Sequence, residues 1–291
     1  MNNQLWFVRA LLTIALFTEL SNATCTSSVA ITTCSWDSLK EHKPLRLDNY
    51  KQYLSISKGN LELIPSDSFK FLPQLAILQV KYNKVRKLDD DSFKGLNALQ
   101  ELNLYDNRLT LISSKVFKTL PLLEKLDLGM NKISNIEDGA FDSLSKLKHL
   151  NLGFNNLKVI PKTINSLINL QILNLNNNQI SSLKANTFTS LKKLETLQLN
   201  DNNIQSIERN FFKHFNSLSK LDLSSNYLAN LDVEDLKEGA VKLSAIKLSI
   251  NSFKCDVLSQ IVSKFKRYNI EVTRGVSKSK NNIEGITCIA K

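Results

Sequence analysis

Apolar residues recur along most of this chain in a figure that is neither helical nor strand-like. In LKHLNLGFNNLKVIP, leucines stand at Leu147, Leu150, Leu152 and Leu157, with a doubled asparagine between the last two. Gaps of three, two and five match neither the three-to-four spacing of a helix nor the alternation of a strand. The figure returns as Leu75, Leu78, Val80, Asn83, Val85 and Leu88, then as Leu99, Leu102, Leu104, Asn107, Leu109 and Ile112. It continues through Leu123, Leu147, Leu170, Leu194 and Leu218, with a first copy from Lys51 and a partial ninth from Leu243. The period is about 24 residues. A repeat of that length predicts a stacked array in which each unit is one supersecondary element.

The spacing has a physical reading. The last two leucines of L-x-x-L-x-L lie two apart, so on a strand they point to one side. Units that stack as parallel strands bury those leucines in one continuous core. The chain must then turn away sharply, leaving peptide groups outside the ladder and away from water. An asparagine amide offers both a donor and an acceptor and can satisfy them in every unit. That predicts a structural column at Asn83, Asn107, Asn131, Asn155, Asn178, Asn202, Asn226 and Asn251. A second column, Phe69, Phe93, Phe117, Phe141, Phe188 and Phe212, should fill the wide outer side, with Ile164 and Leu236 serving in units five and eight. A unit buries about seven large apolar side chains worth ~1.5–3 kcal/mol each. Ordering its backbone costs ~1–2 kcal/mol per residue, so neighbours and end caps are obligatory.

This pattern resembles the leucine-rich repeat family in its L-x-x-L-x-L-x-x-N-x-L extracellular form, over about 70% of the chain, Lys51 to Cys255. Departures are few: Lys51 replaces the first leucine, Gly59 the first asparagine, unit five is one residue short and unit eight one long. The resemblance implies an α/β solenoid, a curved horseshoe with a parallel β-sheet on its concave face. The expected organisation is a signal peptide over 1–23, an N-terminal cap over 24–50, repeats over 51–253 and a C-terminal cap over 254–291.

The leader reads MNNQLWFVRALLTIALFTELSNATC. Arg9 precedes an apolar run, and Ser21 and Ala23 suit cleavage after Ala23, as in a secretory signal peptide. Cleavage there removes Asn22 of the Asn22-Ala23-Thr24 sequon, so a mature chain from Thr24 without N-glycan is expected. The run is too short for a membrane span, and no second one follows, which predicts a soluble extracellular product. Four cysteines fit an oxidising compartment. Of the three possible pairings, proximity in the array favours Cys25–Cys34 and Cys255–Cys288. After Cys255, Val257, Leu258, Ile261, Val262 and Phe265 form one apolar helical face, Asp256 suits the helix start, and Ile270 and Val272 suit a short strand. N-x-F-x-C followed by a short helix and one distant cysteine resembles the C-terminal cap of insect secreted leucine-rich-repeat immune proteins, in a short form without their coiled coil.

Solvent-facing strand positions, between and just after the leucines, are expected to carry no structural duty, so their identity is informative. Most are Asn, Asp, Ser, Gln or Lys. Tyr82, Tyr105, Met130 and Phe154 differ, occupying the last positions before the asparagine in units two to five. His149 lies one column away, with Asp106 and Glu101 nearby. Exposed aromatics on a rigid sheet are typical binding anchors; the bland reading is that they shield neighbouring strands.

Net charge is +11. Eight Lys or Arg between Lys254 and Lys291 face three acids, a surplus that could draw a sulfated or otherwise anionic glycan, although simple solvation is the commoner use of such charge. There is no phosphate loop, no nucleophile elbow and no histidine pair at zinc spacing among His42, His149 and His214. No metal, cofactor or nucleic acid partner is expected, and the oligomeric state stays open. The reading is a secreted non-enzymatic protein that recognises an extracellular protein or microbial surface ligand in innate immunity. A matrix or developmental signalling protein is the competing class.

Overall fold

In a computed structural model, residues 23–27, 31–36, 52–57, 59–273 and 280–290 are described, the first two stretches as backbone only. Residues 1–22, the rest of the N-terminal cap, Lys51, Lys58 and residues 274–279 and 291 lie outside them. So do the side chains of Cys25 and Cys34; the backbone sets these two directly opposite each other in an antiparallel pair.

One sheet of 12 strands runs the length of the described chain in sequence order. Its first two strands are β1 (Ala23–Ser27) and β2 (Ile31–Trp36), which pair antiparallel. Then come β3 (Tyr53–Ile56), β4 (Ile77–Gln79), β5 (Glu101–Asn103), β6 (Lys125–Asp127) and β7 (His149–Asn151). The series ends with β8 (Ile172–Asn174), β9 (Thr196–Gln198), β10 (Lys220–Asp222), β11 (Ala245–Lys247) and β12 (Glu271–Val272). From β2 onward every neighbouring pair is parallel and in matched register, so Leu102, Leu126, Leu150, Leu173 and Leu197 form one row. These leucines are fully or almost fully buried, and their strand neighbours on either side face outward. Short two-residue strands, such as Leu111–Ile112 beside Asn135–Ile136, pair on the opposite side.

The return segments carry the phenylalanine column. Phe69, Phe93, Phe117 and Phe141 stack at centroid spacings of 6.2, 6.0 and 6.3 Å. The short fifth unit replaces the ring by Ile164 on the 3-10 turn Lys162–Ser166, and Leu236 on α1 (Val233–Gly239) does so in the eighth. In unit seven Phe211 and Phe215 join Phe212 in the core and pack against Phe188, where the repeat pattern assigns one ring. Among the described residues no helix is long and apolar enough to cross a membrane.

Each ladder asparagine ties two units together. Asn131 Nδ2 donates to the carbonyls of Leu104, Leu128 and Gly129, while its Oδ1 accepts from Leu109 N at 3.0 Å. Asn107, Asn155, Asn178, Asn202, Asn226 and Asn251 repeat the arrangement, each accepting from a peptide N–H of the unit before. Asn83 does so from Gly59 N, two positions earlier in its unit.

The α2 helix (Cys255–Arg267) closes the array, with Leu258, Ile261, Val262 and Phe265 buried and Val257 half-buried. Cys255 is bonded to Cys288, their Cα atoms 5.0 Å apart. Asp256 is not the N-cap: Lys254 holds that place, and Asp256 sits in the first turn accepting from Val257 N. Acid there still complements the helix dipole. A hairpin of β13 (Asn282–Ile283) and β14 (Ile286–Thr287) follows.

Truncating a ladder asparagine should be costly. Asn131→Ala strands the Leu109 N–H, at ~1–3 kcal/mol, and removes donated bonds to three carbonyls that each keep one other partner, at ~0.5–1.5 kcal/mol apiece. The expected loss is about 3 kcal/mol or more by urea denaturation, whereas Asn156→Ala, on the exposed side of the turn, should stay within ~0.5 kcal/mol.

Candidate binding surface

The outward-facing strand residues form four columns on the concave face, and two of them have backbone duties. The residue just before each ladder asparagine is left-handed: Tyr82, Asp106, Met130, Phe154, Asn177, Asp201, Ser225 and Ile250 have φ between 49° and 58°. That conformation swings the chain out of the sheet. It costs a side-chain-bearing residue roughly 1–2 kcal/mol, with Asn and Asp the most tolerant. The residue one place earlier leaves the ladder as a result, and its N–H needs a partner.

A second column supplies it. Asn103 Oδ1 accepts from Tyr105 N, Asp127 from Gly129 N, Asn151 from Gly153 N and Asn174 from Asn176 N, all at 2.9 Å, and Asp222 accepts from Ser224 N at 3.1 Å. The expectation that solvent-facing strand positions are free of structural duty is therefore corrected. Their side chains face water, yet in these five units they terminate the sheet.

The proposed anchors divide between columns. Tyr82, Met130 and Phe154 are left-handed residues on the lip of the sheet, exposed by 44, 40 and 48%. Asp106 occupies that place in unit three, and Tyr105 sits one step inward. The Tyr105 ring meets Tyr82 edge-on at 5.9 Å and its hydroxyl donates to Met130 Sδ at 2.7 Å. It also lies against Gly129, where an added Cβ would come within 3.1 Å of Tyr105 Cδ2 and 2.6 Å of Asn151 Nδ2. Glycine at 129 thus lets Tyr105 lie flat. Burial, then Tyr82, raise the Tyr105 pKa, which keeps it a neutral phenol.

Inward of this lip is a shallow hollow of about 310 Å³. Its wall includes His149, Glu101, Lys125, Asp127 and Ile172. Lys125 flanks His149 on one strand and Ile172 on the other. His149 is half-buried; burial first, then Lys125 and Lys148, lower its pKa, so at neutral pH it is an uncharged donor and acceptor. Lys125 Nζ lies 3.9 Å from Glu101. The structure therefore places Glu101 and His149 in the hollow, Tyr105 between hollow and lip, and Tyr82, Met130 and Phe154 on the lip. Asp127 and Ile172 were not singled out from sequence; an acid inside a run of asparagines at the same register was the available signal.

In the basic cap, Lys264 is paired with Glu234 at 2.9 Å and Lys266 with Glu284, which reduces the charge offered there. Arg274, Lys278 and Lys291 lie outside the described residues.

A sequence profile described as "Leucine rich repeat" matches residues 52–109, 98–157 and 168–228, and one described as "Leucine Rich repeats (2 copies)" matches 145–189. Together they cover more than half of the chain. A search of curated proteins returns no significant match. Among solved structures, a chain of the Drosophila Toll–Spatzle complex aligns with 81% of this chain at a TM-score of 0.64 and 21% identity. The alignment covers 33% of that chain, so the present sequence spans about a third of its length.

Asp127 gives a pH-dependent prediction. Burial raises its pKa from 3.8 against the opposing bonds from Gly129 N and Asn151. A raised acid binds its proton more tightly folded than unfolded, so ionisation costs stability. That cost is absent below 3.8 and complete once pH passes the raised native value. Asp127→Asn keeps the capping oxygen, so it should melt slightly above the parent at neutral pH. Thermal melts across pH should show the difference closing as pH falls below 3.8.

Proposed function

Because the chain belongs to the leucine-rich repeat family, we propose that it is a secreted, non-enzymatic recognition protein of an innate defence system, binding a protein ligand through the concave face. One observation carries this reading. Tyr, Met and Phe stand at Tyr82, Met130 and Phe154 in a left-handed column where Asn177 and Asp201 show what the backbone tolerates best. These large side chains remain 40–48% exposed, so little burial offsets their strain. The turn requires the left-handed backbone but not these large side chains, so the strain they add points to a use in binding. Beside them lie a rigid sheet, a polar hollow and Tyr105, the ingredients of an anchored protein interface.

The immune assignment rests on the resemblance of the C-terminal cap, Asn251-Ser252-Phe253-Lys254-Cys255, to insect secreted immune proteins. The Toll–Spatzle complex is described as a hub in both development and innate immunity, so the developmental or matrix reading stands as the second. Secretion rests on the leader and on the Cys255–Cys288 disulfide, which suits an oxidising compartment. Release of a product beginning at Thr24 would verify it. Induction of the transcript by infection and circulation in haemolymph favour the immune role, and tissue-restricted expression with matrix retention favours the other. A sulfated glycan on the basic C-terminal cap is a separate, weaker proposal.

The test uses the mature protein immobilised and exposed to its native fluid after microbial challenge. Tyr105→Ala combined with Phe154→Ala should reduce capture of the specific partner about tenfold or more, since central aromatic anchors contribute ~2 kcal/mol or more each. Ala at 154 keeps a side chain in the same backbone conformation, so the melting temperature should hardly change. Full capture by the double variant rules out this surface.

A further inference from the structure

The five capping residues of the concave face do the same job with different charge. Capping needs one acceptor oxygen, which Asn103, Asn151 and Asn174 supply as neutral amides. The carboxylates of Asp127 and Asp222 therefore carry a negative charge that the turn does not use. At Asp222 the charge is met within the protein, by Lys247 Nζ at 3.2 Å. At Asp127 no ion pair forms: Lys81 acts on it only from a distance, its Nζ lying over the Tyr82 ring. Asp127 Oδ1 takes both Gly129 N and Asn151 Nδ2, and among the described residues no Lys, Arg or His comes within ion-pair distance of it. Lys125 in the same hollow leans toward Glu101 instead.

The wall of the hollow then sums to one surplus negative charge: Glu101 and Asp127 against Lys125, with His149 held neutral by burial and by the nearby lysines. Ile172, 36% exposed, adds an apolar surface on the same wall. Half-buried, unpaired negative charge beside an apolar contact is the complement of one long basic side chain, whose stem is apolar and whose head is a cation.

We propose that this hollow is the subsite for a single arginine or lysine side chain of the protein ligand, with Asp127 as its counter-ion and Ile172 against its stem. The proposal rests on the concave face binding a protein, as argued above. It adds the ligand chemistry: the partner presents a basic residue where Tyr105 and Phe154 hold its apolar surroundings. Burial of the Asp127 carboxyl, which raises its pKa, is consistent with a charge waiting for an external partner.

The experiment titrates the isotopically labelled mature protein by NMR with the peptide acetyl-Gly-Arg-Gly-amide and with its citrulline counterpart, the uncharged isostere. Contacts of one side chain bind in the millimolar range. The arginine peptide should shift the Gly129 and Gly153 amides saturably, and citrulline should bind about tenfold more weakly, the ratio for losing one charge-assisted hydrogen bond. Asp127→Asn, which keeps the turn, should abolish the preference. Asp222→Asn, whose charge is already paired, should leave it intact. Equal binding of both peptides, absence of saturable shifts, preference surviving in Asp127→Asn, or tighter binding of a neutral oligosaccharide to these amides would each overturn the proposal. Failure here leaves the partner-capture result with Tyr105→Ala and Phe154→Ala untouched, so the two readings fail separately.

Discussion

The structure depends on how peptide groups are satisfied where each inner strand ends. A parallel ladder can be left only by turning the backbone away from its neighbours, and in a stacked array that turn is covered by the next unit. Each buried N–H or C=O left without a partner would cost ~1–3 kcal/mol, about what burying one leucine contributes. The asparagine solves this by bonding the unit before it and its own strand at once: Asn155 reaches Leu128 O, Leu152 O and Ile133 N. Its amide is a rivet between units, and the even strand register follows from that repetition.

The same turn dictates the surface. A left-handed residue must precede each asparagine, and an Asn or Asp two strand positions before the displaced N–H is drawn in to cap it. The concave face is thus less free than its exposure suggests. What remains selectable is the identity of the left-handed side chains, the outermost strand column of Glu101, Lys125, His149 and Ile172, and the charge on the capping residues. Recognition is confined to those choices, which is why an unneeded carboxylate or a strained phenylalanine carries meaning here.

Packing on the outer side is more permissive. Stacked rings fill it through four units, an isoleucine takes over in the short fifth, and three phenylalanines crowd the seventh. Volume matters there more than ring identity, as in other apolar cores. The inner side is less permissive: Gly59 takes the asparagine place in the first unit, but every later unit keeps asparagine, because hydrogen bonds have direction and apolar contacts do not.

The repeat was legible because the leucine and asparagine spacing reflects local, periodic constraints: strand alternation and a turn that recurs every unit. For the same reason the closing helix after Cys255 could be located from its apolar face, although its first residue and cap could not, since capping depends on a single backbone angle at Lys254. The sequence by itself determined the stacked architecture, the buried columns and the position of the aromatic lip. Only the tertiary structure decided that Tyr105 lies flat over Gly129, that strand-face asparagines terminate the sheet, and that Asp222 finds a lysine while Asp127 does not. The first and last of those facts join residues about 24 positions apart through space, and no periodicity along the chain says which charge on one strand reaches its neighbour on the next.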